Sequence, residues 1–299
     1  MRGLIVCGDK RSAYLLDELI RNGIRMDSYG VYRTAPFADG SACTIGFDKA
    51  GNLVKEEVLR QKNSVFERME EYDFIILPVP VTKDGHTLKT VENGPTITQK
   101  EFMEHIKAHH LVFGGNIPKE WMEHTKARFH DLLTNDGIAI KNAVATAEGA
   151  IAEAICHSEC NLHGKKVLVM GYGRCGKILA WKLKGMDSKV TVLARRKAAL
   201  YEADAYGFET LLLSECKNLN EFSYIFNTIP KPVLSKAAKE SIAKDCRIFE
   251  LAGRECILSE EEKMQYAGRF YYLPGLPGRY APKESGEILA EYILEEIWK

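Results

Sequence analysis

Short apolar runs of four to six residues alternate along this chain with longer stretches in which apolar positions recur every three or four residues. The first pattern predicts buried strands and the second amphipathic helices. "GLIVC" (3–7) reads as a strand and "RSAYLLDELIRNG" as a helix stopped by Gly23. "RMDSYGVY" (25–32) is the next strand and "NSVFERMEEY" (63–72) is helical. "DFIILPVP" (73–80) is a strand, "TQKEFMEHIKAH" (98–109) a helix capped by Thr98, and "LVFGG" (111–115) a strand. "PKEWMEHTKARF" reads as a helix with Pro118 in its first turn. This alternation predicts a parallel sheet covered by helices.

The stretch 134–159 ends in an Ala-rich pattern that reads as one long helix, and a new strand–helix series begins behind it. Its strands are "KVLVMG", "KVTVLAR", "FETLLL", "YIFNTIP", "RIFELAG" and "RFYYLPG". The chain closes with "KESGEILAEYILEEIW" (283–298), where Ile288, Leu289, Tyr292, Ile293 and Ile297 share one face. The predicted fold class is therefore α/β, with two Rossmann-like doubly wound domains joined by a long helix. Residues 1–134 form a Rossmann- or flavodoxin-like substrate domain, 135–160 the bridging helix, and 161–282 the nucleotide-binding Rossmann domain. Residues 283–299 form a C-terminal helix that packs back on the first domain.

Composition narrows the function. The 41 Lys and Arg residues equal the 41 Asp and Glu residues, so the basic excess of a nucleic-acid binder is missing. The longest apolar run, "FIILPVPV" (74–81), is too short to span a bilayer, and "MRGLIVCGDK" reads as a first strand rather than a signal peptide. A cytoplasmic protein with no nucleic-acid and no membrane partner is expected. Eight cysteines are scattered without a CxxC pair, which predicts reduced thiols. "CHSEC" (156–160) matches no common zinc spacing, so no metal is expected.

The chemistry is concentrated in Gly171-Tyr172-Gly173-Arg174-Cys175-Gly176, a GxGxxG turn between a predicted strand and helix. Gly171 allows the tight turn, Gly173 lets a pyrophosphate approach the backbone, and Gly176 lets helix and strand pack closely. The helix start at Arg174 then holds the phosphates. About 20 residues on, where an acid would take the ribose 2′-hydroxyl of NAD, stand Arg195 and Arg196. Two guanidiniums suit a 2′-phosphate, so NADP rather than NAD is expected. "NTIP" ends the fourth strand of this series and puts Asn227, Thr228 and Pro230 on the nicotinamide side. "ELAGRE" ends the next and places Arg254 at the same edge as a carboxylate clamp. Lys283, at the mouth of the last helix, is a second candidate substrate cation or, in its other reading, a solvated first-turn residue.

In the first half, "CGDKR" ends the first strand and carries Asp9 and Arg11, and "GGN" carries Asn116 at the same edge. With Asn142 and Thr146 of "NAVATAEG", these are the expected substrate-binding residues, in a cleft beside the cofactor. Glu148 is the carboxylate expected to act as acid or base. A helix-dipole partner is its other reading.

These residues carry a resemblance. "GDKR", "ILPV" (76–79), "AEG" (147–149), "VLVMGYGRCGKILA" (168–181), "NTIP", "ELAGR" and above all "LPGLPGRYAPKESGEILA" (273–290) resemble the A subunits of dipicolinate synthase. More distantly, the layout is similar to alanine and D-2-hydroxyacid dehydrogenases, although their catalytic His near the C-terminal loop is missing. "ECIL" also stands after Arg254 where a Pro-Gly-rich turn is more usual in the family. The resemblance implies NADP-dependent oxidation of a cyclic dihydro- or hydroxytetrahydro-dipicolinate to pyridine-2,6-dicarboxylate, in the mother-cell cytoplasm during sporulation. The partner it implies is a flavoprotein-like B subunit, with a homodimer also expected. Arg11, Arg254 and Lys283 are then the cations for the two carboxylates, and Glu148 the base. Two other classes stay open: a free-standing amino- or hydroxy-acid dehydrogenase, and a non-catalytic NADP(H)-binding subunit.

Overall fold

The computed structural model describes residues 1–31, 45–47, 53–55, 66–89, 96–253 and 256–299. It divides into two units, Met1–Ala139 with Ala281–Lys299, and Ile140–Tyr280.

The first unit opens with β1 (Arg2–Val6), α1 (Lys10–Arg21) and β2 (Arg25–Tyr29). A two-stranded antiparallel ribbon, β3 (Ile45–Phe47) with β4 (Leu53–Lys55), is a feature the apolar pattern did not predict. There follow β5 (Phe74–Ile76), α2 (Gln99–Glu104), β6 (Leu111–Gly114), α3 (Lys119–His124) and β7 (Arg128–Asp131). The sheet order is β2-β1-β5-β6-β7, and every pair is parallel. Counting its strands in chain order gives 2-1-3-4-5, the flavodoxin-like doubly wound order. Thr98 caps α2 as predicted, its hydroxyl accepting from the Glu101 amide at 3.1 Å. The helix expected over "PKEWMEHTKARF" stops at His124, Pro118 is its N-cap, and the residues behind it form β7.

Successive residues of β1 feed opposite faces: Ile5 enters one apolar cluster, Leu4 and Val6 the other. The C-terminal helix, Pro282–Ile297, completes the first of these clusters with Leu289, Ile293, Leu294 and Ile297 against Leu15, Leu16 and Leu19 of α1. Each fully buried side chain of this size contributes about 1.5–3 kcal/mol, which is what draws the end of the chain back to the first sheet. The two helices cross closely because position 286 is glycine. A Cβ there would stand 2.6 Å from the Arg11 carbonyl oxygen.

The long helix is α4 (Asp136–Cys156), and it runs from the first unit into the second. The second unit continues with β8 (Lys166–Met170), α5 (Arg174–Gly185), β9 (Lys189–Ala194), α6 (Lys197–Ala205) and β10 (Glu209–Leu212). Then come β11 (Tyr224–Asn227), α7 (Lys236–Glu240), β12 (Arg247–Glu250), α8 (Glu260–Gln265), β13 (Phe270–Tyr272) and α9 (Leu276–Tyr280). Its parallel sheet runs β10-β9-β8-β11-β12-β13. In its own numbering that is 3-2-1-4-5-6, the Rossmann order. Val167 and Val169 face one apolar cluster while Leu168 and Met170 face the other, so both sheet faces are covered. Among the described residues no helix is long and apolar enough to cross a membrane.

Candidate functional site

Rossmann sheets bind their ligand outside the carboxyl ends of the strands, where the strand order reverses. In the second unit that point lies between β8 and β11, and the glycine turn sits on it. Gly171 has φ +96°, and a Cβ there would come within 2.5 Å of the Thr228 hydroxyl. A Cβ at Gly176 would collide with the Gly171 carbonyl. These two glycines are therefore required by the protein's own packing. Gly173 is different: a Cβ there meets nothing within 4 Å. Nothing in the fold demands glycine at 173, whereas a pyrophosphate lying on the backbone does.

Gly173 is the N-cap of α5, has no side chain to cap it, and no acid follows in the first turn. The helix thus presents bare amides and the positive end of its dipole, the arrangement that holds phosphate. Arg174 is its first residue and is exposed. Two further polar atoms, the Tyr172 hydroxyl and Asn142 Oδ1, are buried without a hydrogen-bond partner; the Tyr172 ring packs on Phe208 in the core. Asn142 lies one helical turn before Thr146 on α4, and the Thr146 hydroxyl donates to its carbonyl at 3.0 Å. Thr146 also meets the Cys175 thiol, which burial pushes up from its usual value. Thr146 is thus brought to the phosphate helix. Arg195 and Arg196 follow β9 directly and are both exposed, Arg196 being the uncapped start of α6. The residues present fit a nicotinamide dinucleotide.

Other expected residues take different parts. Asn227 is fully buried. Its amide donates to Glu250 Oε1 and Oε2 at 2.8 and 3.0 Å and to the Ile229 carbonyl, while its oxygen accepts from the Ile229 amide. Glu250 also accepts from the amides of Ala252 and Ile257. The pair ties together the loops after β11 and β12, and burial raises the Glu250 carboxyl above its ordinary value. Thr228 supports the turn from below, its hydroxyl donating to the Met170 carbonyl at 2.8 Å. Pro230 is exposed at the end of that loop. Arg254 lies outside the described residues.

Glu148, the expected acid or base, stands at the surface. Its side chain is 56% exposed and binds Lys182 at 2.8 Å. Lys182 is eight residues into α5, about 12 Å along the helix from the glycine turn. Lys283 is likewise an exposed first-turn residue, 4.0 Å from Glu287.

In the first unit the strand order reverses between β1 and β5. Asp9 and Arg11 follow β1, and Val79 follows β5. Arg11 offers Nε and Nη2 to Asp9 at 2.9 and 2.7 Å and also donates to the Val79 carbonyl. The fork expected to clamp substrate is thus already occupied by Asp9. Lys89, which the motifs did not single out, donates to Asp9 at 2.5 Å and to the Val79 carbonyl at 3.0 Å. Burial alone would raise the Asp9 carboxyl, but Arg11 and then Lys89 hold it well below the usual range. Asn116 is exposed beyond β6, two strands or about 10 Å from β1. Its backbone amide donates to Asp131.

Two family models match parts of the chain. A family model described as the N-terminal domain of the dipicolinate synthase A subunit matches residues 3–133. One described as the acetohydroxy acid isomeroreductase NADPH-binding domain matches residues 161–249. The A subunit of dipicolinate synthase from Bacillus subtilis (strain 168) is 30% identical over 230 residues, covering 75% of this chain and 77% of that protein. The crystal structure of the dipicolinate synthase A subunit from Bacillus halodurans superposes with TM-score 0.82 at 24% identity, over all of this chain and 98% of the other. At the level of fold alone, D-lactate dehydrogenase from Escherichia coli matches 99% of this chain and 96% of its own with TM-score 0.60 at 12% identity. The glycine turn sits at the switch point of a Rossmann sheet, and with a 30% identical relative across three quarters of its length the chain belongs to the family of dipicolinate synthase A subunits.

Proposed function

We propose that this chain is the NADP-dependent subunit of a dipicolinate synthase. In this reading a cyclic dihydro- or hydroxytetrahydro-dipicolinate is oxidised to pyridine-2,6-dicarboxylate, and the chain works with a B subunit. The observation that carries the reading is the pairing of an uncapped phosphate turn at Gly173 with Arg195 and Arg196, and no acid, directly beyond β9. When bound, the nicotinamide accepts a hydride from the substrate ring.

The chain's own residues do the positioning. The amides at the start of α5 take the pyrophosphate, and Gly171, Gly176 and Thr228 hold the turn in shape. Arg195 and Arg196 take the 2′-phosphate. Asn142 Oδ1, buried and without a partner, is an acceptor for a cofactor or substrate N–H or O–H. Asn227 and Glu250 fix the two loops beside the nicotinamide end. The dihydro substrate loses one hydride and one proton, and the hydroxy form also sheds water. Aromatisation supplies the driving force, so orientation is the main demand on the protein.

The test is co-purification with a B-subunit homologue, then addition of NADP⁺ and the cyclic lysine-pathway intermediate. Appearance of pyridine-2,6-dicarboxylate absorbance with stoichiometric NADPH supports the reading. Turnover of an amino or hydroxy acid by the chain alone would replace it.

A further inference from the structure

The crevice of the first unit carries a charge imbalance. Arg11 and Lys89 are both nearly buried, each side chain only 10% exposed, and they share a single carboxylate, Asp9. Two cations against one anion leave one positive charge without compensation among the described residues. The Lys89 ammonium is accordingly lowered, first by burial and then by repulsion from Arg11 and Lys83, against the attraction of Asp9. Asp9 is also the N-cap of the twelve-residue α1, its carboxylate accepting from the Arg11 amide at 3.1 Å, so this one anion answers the positive end of the helix as well as the two cations. An uncompensated cation in a low-dielectric place is costly, and proteins keep such groups where an anion arrives to pair with them.

The donors are also prearranged. Asp9 and the Val79 carbonyl hold the two cations side by side, each bonded to both acceptors. Arg11 uses Nε and Nη2 in these bonds, so Nη1 has no protein acceptor among the described residues. Lys89 spends two of its three N–H donors, which leaves one. These are two donors of like charge, fixed in place, at the point where the strand order reverses. That is the position where doubly wound sheets take ligands.

We propose that this crevice is a carboxylate-binding site in which Lys89, with Arg11, holds one carboxylate of the substrate. Asp9 is the positioning residue that keeps the cations together, not a ligand itself. The identification of the acid as a pyridine dicarboxylate rests on the function proposed above, whereas the carboxylate site itself does not.

The experiment is calorimetric titration of the full chain with pyridine-2,6-dicarboxylate, an acyclic 2-hydroxy acid, inorganic phosphate and, separately, NADP⁺. Lys89→Met should weaken carboxylate binding about 10–100-fold, the loss expected for one buried charged contact, while leaving NADP⁺ binding unchanged. Its thermal midpoint should stay equal or rise, because an uncompensated charge has been removed; a purely structural lysine would lower it. Arg11→Lys keeps the charge and the fold but should still weaken the acid.

Undiminished dicarboxylate binding by folded Lys89→Met, or binding of phosphate as tight as that of the carboxylates, overturns the site. If the 2-hydroxy acid binds in a Lys89-dependent way and the pyridine dicarboxylate does not, the site stands and the proposed function falls. If the dicarboxylate binds independently of both cations, the site falls and the proposed function stands.

Discussion

Replacing Arg195 and Arg196 together by Ala tests cofactor choice most directly. Both side chains are exposed, and neither makes a hydrogen bond or ion pair among the described residues, so their removal leaves no buried partner behind. A charge-assisted hydrogen bond to phosphate in a dry site is worth about 1.5–3 kcal/mol. At an exposed position solvent screening reduces this to about 0.5–1.5 kcal/mol each. Two arginines then favour the 2′-phosphate by about 1–3 kcal/mol, or roughly 5–150-fold in affinity. The wild-type chain should bind NADPH more tightly than NADH by that factor, and the double variant should bind the two alike with NADH unchanged. Fluorescence titration of both reduced nucleotides measures it. The preference should also shrink between about 0.1 and 1 M salt, as the screening length falls from about 10 to 3 Å. Equal affinities in the wild-type chain, or a preference that survives the double substitution, would refute the assignment of the 2′-phosphate to these residues.

Gly173→Val should fold normally, because a Cβ there meets nothing within 4 Å. It should nonetheless lose at least about tenfold in nucleotide affinity by calorimetry, since a side chain fills the pyrophosphate's place. Gly286→Ala gains about 1 kcal/mol of helix propensity, yet its Cβ would press on the Arg11 backbone. A net loss of about 1–3 kcal/mol in denaturant unfolding is expected. The Asp9 carboxyl is held below its ordinary pKa by Arg11 and Lys89, against burial. Its contribution is therefore complete above the unfolded value of about 4 and fades as pH falls further. Asp9→Asn should cost about 2–4 kcal/mol at neutral pH, with the gap to wild type closing below about pH 4 in thermal midpoints recorded against pH.

What could be read in the sequence was local. A glycine turn between an apolar strand and a helix is a contiguous signal, and the Rossmann order of the second unit follows from strands and helices that announce themselves one after another. β7 escaped because its four residues are short and only half-buried, so no alternation marks it. The partner of Asn227 escaped for a related reason. Asn227 stands at a strand's carboxyl end, but which way a strand-end side chain turns depends on its neighbours, and here Glu250, 23 residues on, claims the amide. Lys89 had no signal at all. It stands alone in "TLKTVEN" and meets Asp9 across 80 residues of chain, a pairing that only the folded β1 and β5 bring about.

The segment that carries the family resemblance most specifically, "LPGLPGRYAPKESGEILA", packs on two other helices. Its first part acts on α4. Arg279 and Tyr280 both bind Glu153, whose side chain is only 6% exposed, and His157 completes the cluster at 3.0 Å. Burial and the bond to Glu153 push the Tyr280 phenol up to about 12, which keeps it a donor throughout the working pH range. The Tyr280 ring lies against Gly149, where a Cβ would be 2.7 Å from it, and this explains the glycine of "AEG". Gly149 is one turn beyond Thr146, the residue that meets the phosphate helix. The second part acts on α1, where Gly286 admits the backbone of Arg11. One stretch of chain thus packs on the helix whose Thr146 meets Cys175 in one unit and on the helix that carries Arg11 in the other. Residue types there are constrained by backbone approach and buried pairing, which is why the stretch is so distinctive in sequence.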